Sequence, residues 1–167
     1  MGYEKTTLEE GEAGVVPKKG DTLTVHYTGT LDSGAEFDCS RKRGTPLEFK
    51  VGAGMVIKAW DLGLMDFTLG ERATLRASPD FAYGKAGHPP VIPGNSWLNF
   101  DVQLGGINGR IAPGPDGRRR CGGCFSVEDT KGTYQACANC RAVFYCSRSC
   151  QRNAWAGHKV FCKKLRE

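Results

Sequence analysis

The residues best suited to chemistry in this chain are cysteines that crowd toward its carboxyl end. Residues 1–120 contain one cysteine, whereas residues 121–162 contain the other seven. In a reducing compartment, such crowding indicates metal binding rather than disulfide bonds. The residues that can donate to a metal form four close pairs: Cys121 and Cys124, Cys137 and Cys140, Cys146 and Cys150, and His158 and Cys162.

Eight donors are the number that two tetrahedral zinc sites require, so the pairs predict two Zn²⁺ ions with no ligand left over. Two intervening residues allow a tight turn that presents both sulfurs of a pair to one ion. A spacing of four, as in Cys146 and Cys150, places both ligands on one face of a helical turn. Spacing alone leaves open whether the pairs combine in sequence or interleave.

The predicted zinc sites have no open coordination position, so we expect both ions to be structural rather than catalytic. So short a segment buries too little apolar surface to fold alone, and metal binding would supply its folding free energy.

The rest of the chain carries the patterns of a sheet packed on one helix. Apolar residues alternate with polar ones in several segments, as expected of strands with one buried face. The predicted strands are residues 23–27, 72–77 and 98–104, a weaker one at 47–51, and a fifth before Pro17. Residues 56–67 instead repeat apolar side chains every three or four positions, which predicts a short amphipathic helix across the sheet. The fold class is therefore α+β.

Composition also divides the chain. Gly, Pro and Arg dominate where the apolar periodicity stops, which is typical of a linker. The predicted segments are a domain at 1–107, a linker at 108–120, a metal-binding domain at 121–162 and a basic tail at 163–167.

Several motifs in residues 10–107 resemble the FKBP-type peptidyl-prolyl cis-trans isomerases. They are Val25-His-Tyr27-Thr-Gly, Phe37-Asp38, Val56-Ile57-Lys-Ala-Trp60, Pro79-Asp-Phe-Ala-Tyr83-Gly84, Gly87-His88-Pro89 and Ile92-Pro93. The resemblance implies a five-stranded antiparallel sheet wrapped around one short helix, with an apolar cleft between them. It also implies isomerase activity on proline-containing protein clients, for which we expect no cofactor, and binding of macrolide immunosuppressants in the same cleft.

The resemblance assigns residues to that cleft, with Trp60 as its floor. The implied catalytic residues are Tyr27, Phe37, Asp38, Trp60, Tyr83 and Phe100. The implied substrate-binding and drug-binding residues are Arg43, Val56, Ile57, His88 and Ile92. We expect the Tyr83 hydroxyl to hold the substrate carbonyl, and Asp38 to organise Tyr27 and Arg43.

Taken singly, these residues have simpler interpretations, and only their joint pattern favours a cleft. Trp60 alone would be a core residue of the helix. His26 falls on the polar side of its strand, so we expect it to be exposed. Three positions depart from the family. Leu47 replaces the usual aromatic wall, Met55 replaces a residue that is often polar or charged, and Asn99 faces away from the apolar side of its strand.

The cysteine-rich segment resembles a MYND finger, on Phe144-Tyr145-Cys146, Cys150-Gln151, Trp155 and His158-Lys159 in addition to the eight donors. The resemblance implies interleaved sites. One ion would take Cys121, Cys124, Cys146 and Cys150, and the other Cys137, Cys140, His158 and Cys162. It further implies that a proline-rich partner peptide docks against Gln151 and Trp155. The simpler alternative is that Trp155 packs inside the small domain.

Charge is distributed unevenly along the chain. Residues 118–167 carry 11 Lys and Arg against 3 Asp and Glu, whereas residues 1–117 carry 12 against 15. A basic segment suits an acidic partner or nucleic acid. Seven thiolates with two zinc ions would lower that positive charge, so we expect a solvated basic face and no nucleic-acid partner.

The remaining expectations concern location and competing functions. The chain lacks a run of about 18 apolar residues and its first residues lack a signal-like core, so we expect a soluble cytoplasmic or nuclear protein without a membrane contact. One competing function is a non-catalytic adaptor or chaperone-like scaffold that only holds proline segments. Another is a RING-like ubiquitin ligase, against which the short gap before His158 and the Gln151–Trp155 pair argue.

Overall fold

The computed structural model describes residues 2–166 of the chain. Its β-strands are β1 (Tyr3–Glu9), β2 (Thr22–Leu31), β3 (Glu36–Cys39), β4 (Leu47–Lys50), β5 (Arg72–Ala77), β6 (Leu98–Ile107), β7 (Arg110–Ile111), β8 (Gln135–Ala136) and β9 (Phe144–Tyr145). Its α-helices are α1 (Ser40–Arg43), α2 (Lys58–Gly63) and α3 (Arg148–Arg166). Short 3-10 turns lie at Leu64–Asp66, Pro79–Phe81 and Pro115–Gly117.

The N-terminal domain is one antiparallel sheet. Five strands follow the order β1-β5-β6-β2-β3, while β4 pairs with β2 and β7 pairs with β6. The predicted strands all form, and the fifth one, before Pro17, is β1. Strand β3 was not predicted, because four residues are too few to show a period-two pattern. The α+β class is confirmed.

Helix α2, the 3-10 turn after it and Phe67 cover one face of the sheet, as the spacing of apolar residues over 56–67 predicts, although the α-helix itself spans only Lys58–Gly63. Trp60 is 4% exposed, and Leu64 and Phe67 are fully buried. Against them pack the inward residues of the central strands, such as Val25 and Val102, which are also fully buried. This contact between helix and sheet is the main hydrophobic core, and it leaves one end of α2 facing a cleft.

The finger has a separate, smaller core. A two-stranded sheet of β8 and β9 packs beside helix α3, and the buried residues include Val143, Tyr145 and Ala154. Cysteine side chains make up much of this core. So little aliphatic surface agrees with a domain that depends on metal for its folding.

The two cores are linked by ordered backbone and by direct contact. The segment 108–120, expected to be a linker, begins with β7, whose residues Arg110 and Ile111 pair with Ile107 and Gly106. Across the junction, the ring of Phe125 packs over Gly105, where a Cβ atom would lie 2.3 Å from the ring. The finger is therefore docked on the sheet.

Within residues 2–166, no helix is both long enough and apolar enough to cross a membrane.

Candidate functional site

A cleft of about 470 Å³ opens between the sheet and the long loop after β5. It is lined by Tyr27, Phe37, Asp38, Leu47, Met55, Val56, Ile57, Trp60, Tyr83, His88, Val91, Ile92 and Phe100. Every residue predicted for the cleft is in this set except Arg43, which reaches it through contacts with Asp38 and Tyr27. A cleft of this size with a mostly apolar wall suits a peptide-sized ligand.

Aromatic rings set the shape of the cleft. The Trp60 ring lies 4.9 Å from the Tyr27 ring and 5.2 Å from the Phe100 ring, both nearly edge-on. Phe37 in turn meets Phe100 edge-on at 5.7 Å. Edge-to-face contacts of this kind favour one arrangement of the rings over others. The floor of the cleft is therefore held in place by its own side walls.

A glycine makes room for one of these walls. Gly29 on β2 pairs with Phe100 on β6. A Cβ atom at Gly29 would lie 2.5 Å from the ring of Phe37, closer than atoms can approach. Glycine at this position therefore allows Phe37 to fold over strand β2 and face the cleft.

The polar edge of the cleft is a three-residue cluster. Asp38 accepts hydrogen bonds from the Tyr27 hydroxyl and from the Arg43 guanidinium. Arg43 also donates to the Tyr27 hydroxyl oxygen at 3.1 Å. Burial, followed by the bond to Asp38, raises the pKa of Tyr27 to about 12. Tyr27 therefore stays protonated at neutral pH and keeps donating to Asp38.

Tyr83 and His88 form the opposite rim. Their rings lie 5.2 Å apart, and Tyr83 is 39% exposed, so its hydroxyl can reach a bound ligand. Burial and then the charge of Asp38 raise the pKa of Tyr83 above its usual value. The hydroxyl is therefore protonated and able to donate.

Three wall residues lie outside the predicted set. Leu47 and Met55, which depart from the family pattern, both face the cleft, and Met55 is 61% exposed. Val91 also lines it and is 49% exposed. In the sequence Val91 is only an apolar residue in a long loop. Single apolar residues are common on protein surfaces, so this position alone did not predict a place in the cleft wall.

The structure gathers the eight metal donors into two groups. One contains Cys121, Cys124, Cys146 and Cys150, and the other contains Cys137, Cys140, His158 and Cys162. The first and third pairs therefore combine, as do the second and fourth. This is the interleaved grouping that the MYND resemblance implies.

The geometry of both groups fits zinc. Within each group the donor atoms all lie within 4.8 Å of one another. The Sγ atoms of Cys124 and Cys146 are 3.8 Å apart, as are those of Cys137 and Cys162. Tetrahedral coordination with Zn–S bonds of about 2.3 Å places two sulfurs roughly 3.8 Å apart. Burial lowers the pKa of His158, which favours the neutral imidazole that ligates metals.

Helix α3 carries the two residues predicted to bind a partner peptide. Trp155 is 44% exposed, and its ring lies 5.9 Å from the ring of His158. Gln151 lies one turn earlier and is half-buried. The indole thus lies against one of the eight candidate metal donors while one side of it faces solvent, which does not fit the alternative of a core residue.

His26 is not exposed, contrary to the prediction. It is 1% exposed, and its Nε2 atom lies 2.6 Å from the carbonyl oxygen of Gly123 in the finger. The ring also meets Phe125 nearly edge-on at 4.7 Å. The polar side of strand β2 is covered by the finger, and this could not be read from the strand alone.

Glu128 is a buried carboxylate that the sequence analysis missed. It is fully buried and accepts hydrogen bonds from the backbone N–H groups of Arg119, Gly132, Thr133 and Tyr134, at 2.9 to 3.1 Å. Burial raises its pKa, but these donors outweigh burial and lower the pKa to about 2. Glu128 therefore orders the loop between the first two cysteine pairs.

Comparison with known families agrees with both halves of the geometry. Residues 14–105 match the model of the FKBP-type peptidyl-prolyl cis-trans isomerases, and residues 121–162 match that of the MYND finger. The chain is similar to FK506-binding protein 1 of Rhizopus delemar, at 50% identity over 108 residues. That match covers 65% of this chain and all of the relative.

Two animal proteins show the same relationship. The peptidyl-prolyl cis-trans isomerase Fkbp12 of Drosophila melanogaster is 51% identical over 104 residues, which are 62% of this chain and 96% of the relative. The peptidyl-prolyl cis-trans isomerase FKBP1A of Xenopus laevis is 48% identical over 104 residues, which are likewise 62% of this chain and 96% of the relative. The aromatic cleft and the sequence matches agree. This chain therefore belongs to the FKBP-type peptidyl-prolyl cis-trans isomerase family and carries a MYND finger.

Proposed function

We propose that this isomerase catalyses cis-trans isomerisation of X–Pro bonds of protein clients in the cleft floored by Trp60, and that its finger selects those clients. The observation that carries the proposal is the apolar cleft itself, closed below by Trp60 and bounded by Asp38 and Tyr83. The division into a domain at 1–107, a linker at 108–120, a finger at 121–162 and a basic tail at 163–167 is part of the same proposal.

The chemistry requires no nucleophile, because no covalent bond breaks. Rotation about the peptide bond meets a barrier of roughly 18–20 kcal/mol, which arises from amide resonance. At the twisted transition state the amide loses its charge separation, so water favours the planar ground state. A site lined with aromatic rings removes part of that preference. To catalyse, it must bind the twisted amide more tightly than the planar one.

Polar groups at the two rims orient the substrate. We assign the Tyr83 hydroxyl to the substrate carbonyl, because it is protonated and partly exposed. Asp38, held by Tyr27 and Arg43, faces the cleft with a fixed carboxylate. The role of Asp38 is to hold the Tyr27 and Arg43 side chains in position beside a proline ring that is bound over Trp60.

The same cleft would take a macrolide such as FK506, by which the Rhizopus relative is named. Leu47 and Met55 form part of the wall that such a ligand contacts. An aliphatic side chain at position 47 removes a ring from this wall, which would loosen the fit at that edge. We expect binding at the cleft with an affinity that depends on position 47.

For the finger, we propose two structural zinc ions, one in each donor group. Neither group has an open position for a substrate, because four protein donors satisfy a tetrahedral ion. Metal binding would therefore fold the domain and fix helix α3. A proline-rich partner peptide would then dock at Gln151 and Trp155, since extended proline segments have little entropy to lose on aromatic surfaces. The location we propose is cytoplasmic or nuclear.

An isomerisation assay on a short X–Pro peptide tests the catalytic half. Tyr83→Phe removes only the hydroxyl, and Asp38→Val removes the carboxylate. We expect each to lower kcat/KM by about tenfold or more, as for the loss of one oriented polar group in an active site. Thr74→Ala, on the exposed side of strand β5, is the matched control and should leave the rate unchanged. Wild-type rates in both cleft variants would refute the assignment.

The same preparation can be checked for metal. Two zinc ions per chain, measured by elemental analysis, would support the proposed finger, whereas one or none would contradict it. If the protein is instead a non-catalytic adaptor, the wild type would bind the X–Pro peptide without increasing its rate of cis-trans isomerisation.

A further inference from the structure

The outer face of helix α3 carries a line of basic side chains around one tryptophan. Arg148, Arg152, Lys159 and Lys163 are all exposed, as is Trp155. At 100° per residue, these five positions fall within an arc of about 80°. We call these five residues the basic stripe. It extends about 22 Å along the helix, at 1.5 Å per residue.

The positive charges of the stripe have no counter-charges close by. Within residues 2–166, none of its four basic side chains forms an ion pair. Helix α3 contains no Asp or Glu over Arg148–Arg166. Arg148 and Arg152 stand four residues apart, as do Lys159 and Lys163, and like charges at that spacing destabilise a helix. The stripe therefore weakens the helix that carries it.

The rest of the helix keeps the stripe facing outward. On the face of the helix next to the stripe, Ala154, His158 and Cys162 are buried in the finger. Gly157 lies against the Glu48 carboxylate of the isomerase domain, and the Phe161 side chain lies against Gly109. Rotation of α3 would break these contacts together with the second metal group. A basic surface with one aromatic ring at its centre is thus displayed in a fixed orientation.

We propose that the basic stripe binds an acidic, proline-containing segment of a client protein. The inference deepens the proposed function of the finger and rests on it, because Trp155 serves as the anchor in both. Proline would stack on Trp155, while Glu or Asp on either side would pair with Arg152 and Lys159. An extended proline helix rises about 3.1 Å per residue, so about seven residues match the stripe.

Nucleic acid is the other polyanion that a basic surface could attract, and the structure favours the peptide. Nucleic acid binding usually draws on positive charge spread over a larger surface, but residues 1–117 carry 15 Asp and Glu against 12 Lys and Arg. Single-strand binding surfaces also stack successive bases on several aromatic rings. The stripe has one ring, which suits a single proline.

Fluorescence anisotropy on the full-length, zinc-loaded protein tests the proposal. The probes are a short labelled peptide in which Glu alternates with Pro, the same peptide with Gln in place of Glu, and a single-stranded DNA oligonucleotide. We expect the Glu peptide to bind about tenfold more tightly than the Gln peptide at low salt, since several exposed charge pairs each contribute modestly. The difference should shrink as salt is raised.

Charge-reversal variants locate the site. Arg152→Glu combined with Lys159→Glu should remove the preference for the Glu peptide. Lys164→Glu is the matched control: the residue is exposed on the same helix but turned about 140° from Lys159, so the preference should persist. Zinc content is measured for each variant to show that the finger has folded.

The remaining outcomes separate this inference from the function on which it rests. Equal binding of both peptides, lost in Trp155→Ala, would overturn the acidic preference and leave proline docking intact. No binding of either peptide by the zinc-loaded protein would overturn both. Tighter binding of the DNA than of the Glu peptide would overturn the inference in favour of nucleic acid.

Discussion

The Nε2 atom of His26, in strand β2 of the isomerase domain, lies 2.6 Å from the carbonyl oxygen of Gly123 in the finger. In the sequence Gly123 stands between two of the candidate metal donors, Cys121 and Cys124. A carbonyl only accepts, so Nε2 carries the proton and Nδ1 accepts from the Ser40 hydroxyl at 2.7 Å. The Ser40 oxygen in turn accepts from the backbone N–H of Tyr27 at 2.8 Å. One chain of hydrogen bonds thus joins the finger to the cleft residue Tyr27.

His26→Ala tests this connection. The change leaves the Gly123 carbonyl without its donor at a buried junction, whereas the Ser40 hydroxyl can still donate to the Tyr27 carbonyl at 3.3 Å. Loss of one buried hydrogen-bond partner typically costs about 1–3 kcal/mol. We expect the free energy of urea unfolding, measured with saturating zinc, to fall by that amount. Thr74→Ala serves as the control on an exposed strand position. Equal stability of His26→Ala and wild type would mean that the finger does not rest on this residue.

Phe125 and Gly105 allow a sharper test of docking. Phe125 has a φ of 66°, which is uncommon for a bulky residue, and its ring covers Gly105. A methyl group in Gly105→Ala would meet that ring, and overpacking of this kind costs about 1–3 kcal/mol. In a Phe125→Ala background there is no ring to meet, so Gly105→Ala should cost much less. The same cost in both backgrounds would contradict the docked arrangement.

We expect Glu71 to stabilise the isomerase domain at neutral pH and to lose that effect in acid. Its side chain is almost fully buried and accepts from Lys5 and Thr7 at 2.9 Å each and from the Thr68 N–H at 3.0 Å. Burial raises the pKa of Glu71, but these donors, with Lys5 foremost, lower it below 4.5 overall. The folded state therefore favours the ionised form, and its stabilisation is complete above pH 4.5 and declines as the pH falls below it.

Glu71→Gln removes that titration. Wild type should be more stable than the variant at pH 7, and the gap in unfolding free energy should narrow below about pH 4.5. Zinc leaves the finger in acid in both proteins, so the difference between them isolates Glu71. A gap that stays constant down to pH 3 would show that the pKa of Glu71 is not lowered.

Local periodicity predicted the elements whose one face is buried by their immediate neighbours. Strands β2, β5 and β6 and the apolar face around Trp60 belong to this class. Cysteine spacing predicted which residues pair, but the combination of pairs depends on how the chain folds back, and spacing does not encode that. The role of Phe37 came from family resemblance, because a four-residue strand carries too little pattern.

The residues that sequence reasoning misplaced or missed have partners far along the chain or in the backbone. His26 is buried by a loop 97 residues away, so alternation within its strand predicts exposure. Glu128 is stabilised by backbone N–H groups, which leave no trace in side-chain identity. Burial by another domain and bonding to the backbone are the two contributions that a single sequence does not display.

Exchange NMR on a short X–Pro peptide tests the central claim most directly. With a small amount of the full chain present, cross peaks between the cis and trans forms should appear on a timescale far shorter than the tens to hundreds of seconds of the uncatalysed reaction. Adding excess FK506 should abolish them, because the drug and the proline would share the cleft over Trp60. Cross peaks that persist with the drug bound, or that never appear with the protein alone, would contradict the account.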